Sequence, residues 1–556
     1  MLDGIRDGVI AVWRHGLFLG SAPNVGKIGA PSPGIGIIIR LSSQGAPPSL
    51  LLSPQRAMQH RAHDAGSSST PQGTPMTLTD LEARVHADLA CLDYPAHPWV
   101  PARERDGQAV LDVLIIGAGQ GGLATAFALL REKITNILVV DKAARGEEGV
   151  WTTFARMITL RTPKHVCGPD LGIGSLTPRA WYEARFGAAA WQGLGKIPRE
   201  RWQDYLNWYR HVLDLPVQNE TAITAIEPHG DLLAATTERG EVLLARKIVL
   251  ATGISGSGAW HIPDFIENNL PRARWGHTSE TIDFAALKGK RVGVLGAGAS
   301  AFDNAATALE AGAARVQLCV RRRRLPRVNP YRWMESAGFL GQFADLPDLM
   351  RWRFMRHIFT MNQPPPPDTV ARCAAFPQFS AHPGTPWEGA RMEGDEIRIA
   401  TPQGELAFDY VIIGAGFVLD PARRPELRAF APFIAKWGDR FTPPLGEEDA
   451  TLASYPYLAR SFAFTEREPG TAPALANLHN FTFGATPSMG LSGASISGLK
   501  FGVRRLVDAI SRDFFLEDAE AHYLSLLRYD EHELTAESWP DDGIGAKPHG
   551  LATAAE

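Results

Sequence analysis

Two glycine turns of the form G-x-G-x-x-G/A lie about 180 residues apart, each between an apolar strand pattern and a helix pattern. That order is the strand–turn–helix unit that cradles a dinucleotide, so the chain predicts two nucleotides with electrons passing between them. In the first unit Val113 to Ile116 is a β-branched run suited to a strand buried on both faces. Gly117 permits the tight turn, Gly119 lets backbone approach a pyrophosphate, and Gly122 lets the next helix lie close to the sheet. The ligand's negative charge then rests on the free amides of the helix start. Leu123, Phe127 and Leu130 supply the apolar helix face, and Ile137 to Val140 supply the next strand. Asp141 ends that strand where an acid can hold a ribose hydroxyl.

The second unit has its strand at Arg291 to Leu295, its turn at Gly296 and Gly298, and Ala301 in the third small position. At the end of its second strand, Val316 to Val320, the acid is missing and Arg321 to Arg324 stand in its place. An acid repels a 2′-phosphate, whereas a guanidinium clamps it through paired, charge-assisted hydrogen bonds. The second site is therefore expected to take NADP, with Arg321 or Arg322 nearest the phosphate by register.

A chain of 556 residues exceeds one ordinary core and suits two or three domains. A formal charge of -4 gives no reason to expect nucleic acid as a partner. No run of 18 apolar residues is present, so no membrane span is expected and the reading is cytoplasmic. The four cysteines, Cys91, Cys167, Cys319 and Cys373, form no C-x-x-C pair, which argues against hydride relay into a disulfide. The sixteen histidines do not join them at metal-ligand spacing, and no metal is expected.

Residues 1–75 are rich in Gly, Pro and Ser and lack a continuous apolar face, so they are expected to be a disordered or non-native leader. Residues 76–100 read as an N-terminal arm and 526–556 as a tail. The segment from Gly149 to Gly172 leaves the first unit as a loop carrying Trp151, Arg156, Arg161, Lys164 and His165. Loops placed there by a rigid sheet carry chemistry in many enzymes. Trp181, Trp191, Trp202, Tyr205, Trp208 and Tyr209 follow at helical spacing, as core or as the lining of a cavity. Ala251-Thr252-Gly253 closes a later strand with a small turn. Tyr410 to Phe417 resembles that arrangement, but Asp420-Pro421 prevents a long helix after it, so it is not a third dinucleotide site. Residues 325–386 read as an aromatic-rich insertion, either a cover over substrate or a helical pair packed on the NADP domain.

From about Cys91 to Ile510 the chain resembles the two-dinucleotide flavoprotein monooxygenases, the class B group of flavin-containing, Baeyer–Villiger and N-hydroxylating enzymes. The resemblance rests on Gly117, Gly119 and Gly122, on Gly296, Gly298 and Ala301, on the intervening Ala251-Thr252-Gly253, and on Pro271 to His277. The last departs from the group's F-x-G-x-x-x-H linker by Pro271 for phenylalanine and Ala273 for glycine, which leaves the subclass unassigned. The resemblance implies an α/β fold of two Rossmann-like domains, with the NADP domain (286–400) inserted into a discontinuous FAD domain (101–285 and 401–525). It implies FAD at the first fingerprint, with Trp151, Thr252, Gly253, Ser492 and Gly493 beside it, and NADP at the second. It also implies NADPH-driven insertion of one atom of O2 into a small organic substrate through a C4a-(hydro)peroxyflavin. Arg156, Arg161, Lys164, His165 and the linker's His277 are the candidates to tune that oxygen chemistry, with Lys164 and His165 favoured and a linker-fixing hydrogen bond the other role open to His277. Two other outcomes stay open: an NADPH oxidase or other FAD/NADPH oxidoreductase without oxygen insertion, and a nucleotide-bound redox sensor. Substrate and O2 are the expected partners, and the sequence leaves homo-oligomerisation open.

Overall fold

The computed structural model describes residues 76–93, 96–166 and 168–533, and the backbone of two short strands, Gly8–Trp13 and Gly16–Ser21. The chain divides into two units, Met1–Gln72 and Gly73–Glu556. In the first, the two short strands pair antiparallel. The rest of the expected leader, Cys167 and the tail beyond residue 533 lie outside the described residues.

The second unit opens with the helix Leu78–Cys91, started by a capping box in which Thr77 Oγ1 accepts from Asp80 N while the Asp80 carboxylate accepts from Thr77 N. Leu81 and Val85 bury its inner face. Farther along the arm, the Trp99 indole donates to Glu132 O at 2.8 Å, anchoring the segment to the end of the first fingerprint helix.

Two sheets follow. In the first, Val217–Gln218, Ile137–Val140, Gln108–Ile116, Val242–Leu250 and the late strand Leu478–Asn480 run parallel. An antiparallel pair, Ile223–His229 and Leu232–Thr237, extends its edge. Val113, Leu114 and Ile115 are fully buried because helices cover both faces. One such cover is Gln120–Arg131, whose Leu123, Ala124, Phe127 and Ala128 face inward. Trp181, Trp191, Trp202, Tyr205, Trp208 and Tyr209 are all buried in this core.

The second sheet is wholly parallel, in the order Trp275–His277, Tyr410–Ile413, Arg291–Leu295, Arg315–Val320, Phe379–Pro383. It extends beyond the expected limits of 286 and 400 at both ends. The physical reason is that Tyr410–Ile413 is an all-but-continuous apolar run, and its backbone pairs with the fingerprint strand beside it. An antiparallel pair, Gly258–Trp260 against Phe417–Leu419, marks where the chain leaves the first domain and returns to it. The insertion divides between the two domains. Asp348–Met361 packs on the late flavin-side helices Ala450–Ala453 and Thr486–Met489, while Pro367–Ala374 packs on the second fingerprint helix, Ala299–Glu310. Among the described residues no helix is long and apolar enough to cross a membrane.

Candidate functional site

At the first fingerprint Gly117 has φ +107, a conformation that a side chain resists, and a Cβ there would stand 2.6 Å from Ala251 O. A Cβ at Gly122 would stand 1.8 Å from Gly117 O, so helix and turn touch through bare backbone. Gly119 is different: an added Cβ would meet nothing within 4 Å. Gly119 is also the N-cap of Gln120–Arg131 and provides no side-chain cap, which leaves that helix start free to receive an anion. The Asp141 carboxylate accepts from Ala118 N at 2.7 Å and from Ala143 N at 2.8 Å, tying the turn to the end of the second strand. Burial raises its pKa, and its remaining lone pairs are what a ribose hydroxyl would use.

The other residues expected beside this cradle converge on it. Thr252 follows Ala251 directly, and its buried Oγ1 has no hydrogen-bond partner among the described residues. Gly253 takes φ +78 next to it. Gly493 O lies 3.1 Å from where a Gly121 Cβ would be, so the late loop of Ser492 and Gly493 touches the first fingerprint helix. That loop leads into Ile496–Glu517, another helix without a side-chain cap. Trp151 stands edge-on to Trp202, whose indole donates to Gln120 Oε1 at 3.2 Å. Open backbone at Gly119, two uncapped helix starts and an orphaned threonine hydroxyl fit a flavin dinucleotide.

The second fingerprint repeats the design. Gly296 has φ +136, and a Cβ there would meet Gly414 O at 2.3 Å, just as Gly117 meets Ala251 O. Gly298 caps Ala299–Glu310 with open space above it, and Ala301 is buried where the helix crosses the turn. Arg321 and Arg322 follow the strand Arg315–Val320 directly and are exposed; Arg322 makes one long contact, 3.4 Å to Thr360 O. Exposed guanidiniums at that strand end suit a 2′-phosphate.

Lys164 and His165 are not brought to this cleft. The Lys164 ammonium donates to Trp191 O at 2.6 Å and Leu194 O at 2.5 Å, and lies over the Trp191 ring. It thereby caps the carbonyl end of Ala188–Gly193, and His165 is exposed. The reason is local: a flexible cation next to a helix end finds three unsatisfied carbonyls close by.

The partners of Arg161, and the roles of Asp303 and Arg351, went unread in the sequence. Arg161 crosses from the flavin-side loop to Asp303 on the second fingerprint helix. Met157, Ile158, Arg161, Lys196, Asp368 and Arg372 line a cavity of about 240 Å³ at that boundary. From the insertion, the buried Arg351 donates to Ser488 O at 3.0 Å and lies over the rings of Trp437 and Tyr457. Phe343 packs where a Cβ of Gly490 would be, 3.2 Å away, so the insertion supports the late flavin-side loop. Arg161 lies 142 residues from Asp303, and only the fold brings them together. His277 is buried, with Nδ1 2.6 Å from Ser279 Oγ and its ring against Trp260. Burial holds its pKa down to about 4. Cys91, Cys319 and Cys373 are free thiols, and Cys167 lies outside the described residues.

Comparison with known proteins places this geometry. The family profile described as pyridine nucleotide-disulphide oxidoreductase matches residues 114–336. An FAD-dependent urate hydroxylase from Xanthomonas campestris pv. campestris is 47% identical over 467 residues, covering 84% of this chain and 98% of the relative. Among solved structures, the reduced form of an ornithine hydroxylase from Pseudomonas aeruginosa superposes with a TM-score of 0.57 at 16% identity, over 72% of this chain and 99% of its own. An ornithine N-hydroxylase from Kutzneria sp. 744, solved with reduced FAD, NADP+ and L-ornithine, gives 0.56 at 17% identity, over 73% and 99%. The two structures share the fold of two dinucleotide-binding domains, and the hydroxylase relative carries the match across nearly its whole length. The chain thus belongs to the class B flavin monooxygenases, the FAD- and NADP-dependent family that includes the Xanthomonas enzyme.

Proposed function

We propose that this protein is a cytoplasmic, NADPH-dependent FAD monooxygenase that hydroxylates urate or a closely similar oxidised purine. The observation that carries the reading is the 47% identity to a urate hydroxylase across 98% of that enzyme. When bound, the flavin supplies the chemistry, accepting hydride from NADPH and activating O2 at its C4a position. The chain's own residues do the holding. Gly117, Gly119 and Gly122 admit the FAD pyrophosphate to the start of Gln120–Arg131, and Asp141 takes the ribose. Thr252, Gly253, Ser492 and Gly493 would hold the flavin end of the cofactor, with Trp151, packed edge-on to Trp202, on the same side of the fold. Gly296, Gly298 and Ala301 seat NADP, and Arg321 and Arg322 read its 2′-phosphate. The insertion helix Asp348–Met361 is fastened to the flavin-side loop through Arg351 and Ser488 O, and there would help to keep water from the flavin.

The test is aerobic NADPH oxidation with urate under oxygen-18 gas, with mass analysis of the product. One labelled oxygen atom in the product, with NADPH consumed in equal amount, is expected. Peroxide alone across urate and other purines would make the protein an oxidase. Failure of NADPH to bleach the bound flavin would favour a redox sensor.

A further inference from the structure

The C-terminal helix Ala519–Leu527 has no buried residue. Among the described residues His522 alone ties it to the rest of the fold, its ring 5.8 Å from Trp99 and stacked on Phe515 at 5.1 Å, and the other side chains of this nine-residue helix face outward. It and the end of the helix before it carry exposed large apolar side chains, Phe515, Leu516, Tyr523, Leu524, Leu526, Leu527 and Tyr529, with Leu526 at 67% and Tyr529 at 64% exposure. Patches of this kind mark an interaction surface.

The charges at the two ends of the helix identify the occupant. Glu520 lies at its start and Arg528 is its C-cap, and among the described residues neither forms an ion pair. Glu520, Tyr523, Leu524, Leu527 and Arg528 recur at the spacing of one helix face. If the same helix from a second molecule lies antiparallel across a two-fold axis at Leu524, Leu524 meets its own copy. Each Glu520 then meets the other molecule's Arg528. The surface is self-complementary, as an isologous dimer requires. A stable pairing buries about 800 Å² per partner, more than this helix offers alone, so Phe515 and Leu516 at the end of Ile496–Glu517 join it.

We propose that a second copy of this chain covers this face, forming a two-fold dimer through antiparallel Ala519–Leu527 helices. This does not depend on the substrate assignment.

Sedimentation velocity of the flavin-loaded full chain at micromolar concentration tests it. The wild type is expected at about twice its 60.5 kDa. L524E/L527E is expected at half that mass, with the flavin spectrum and bleaching by NADPH unchanged. E520R is expected to weaken the dimer at least tenfold, and E520R/R528E to restore it, which separates pairing from misfolding. A wild-type monomer at tens of micromolar, or a dimer indifferent to L524E/L527E and to E520R, would overturn the proposal. A wild-type monomer that loses thermal stability when residues 534–556 are removed would instead assign the patch to the chain's own tail.

Discussion

Arg161 donates to Asp303 across the boundary between the two dinucleotide domains, Nη2 to Oδ2 at 3.1 Å. Asp303 is 1% exposed, and it also accepts from Thr369 Oγ1 at 2.9 Å, with Arg372 Nη1 at 3.5 Å. One carboxylate therefore fastens the flavin-side loop, the second fingerprint helix and the end of the insertion together.

Asp303→Ala would leave Arg161 and the buried Thr369 hydroxyl without their shared acceptor, while Arg372 keeps its pair with Glu310. It is expected to cost about 2 kcal/mol of stability, against about 1 kcal/mol for Arg161→Met, whose side chain is partly in solvent. Thermal unfolding of the two variants checks this, and equal losses would contradict the shared-carboxylate account.

The two inner glycines of the first fingerprint should fail in different ways. Gly122→Ala drives a methyl into Gly117 O and is expected to yield little folded protein. Gly119→Ala meets open space, so the fold should survive while FAD affinity drops, because the methyl enters the volume claimed by the ligand. Flavin titration of refolded apoprotein distinguishes them; unchanged affinity in Gly119→Ala would remove that residue from the cradle.

Arg321→Ala and Arg322→Ala are expected to raise the KM for NADPH by about tenfold to a hundredfold, the range of a lost charge-assisted hydrogen bond, and to leave NADH little changed. Steady-state kinetics with both nucleotides decides the matter. Equal losses for the two would mean that these arginines do not read the 2′-phosphate.

Burial holds the imidazoles of His277 and His479 down to a pKa of about 4, from an ordinary 6.5. The unfolded chain takes up their protons below pH 6.5, the folded chain only near 4. Their contribution to stability is thus complete above about pH 6.5 and is lost as pH falls toward 4, on the order of 3 kcal/mol for each. The Tm is expected to drop between pH 7 and 5, and His479→Gln to flatten that slope; an unchanged slope would contradict the assignment.

Both fingerprints were legible in the sequence because each is local. Gly117, Gly122 and Asp141 act within about 25 residues of one another, and the strand, turn and helix patterns announce themselves. Limits of the second domain were less so, since Tyr410–Ile413 joins its sheet by pairing with a strand more than a hundred residues earlier. Lys164 shows the opposite difficulty: a basic residue on a loop near a nucleotide reads as chemistry, yet its contacts are those of a helix cap. The Arg161–Asp303 bridge and the Arg351 contact to Ser488 depend on tertiary proximity alone and left no pattern to read.

The central claim is that one chain holds FAD at Gly119 and passes it hydride from a nucleotide held at Gly298. Its most direct test is the visible spectrum of the purified protein under anaerobic NADPH. Bound flavin, bleached rapidly by NADPH and much more slowly by NADH, is the predicted result. Folded protein that neither contains nor takes up flavin, or flavin that NADPH leaves oxidised, would contradict the account.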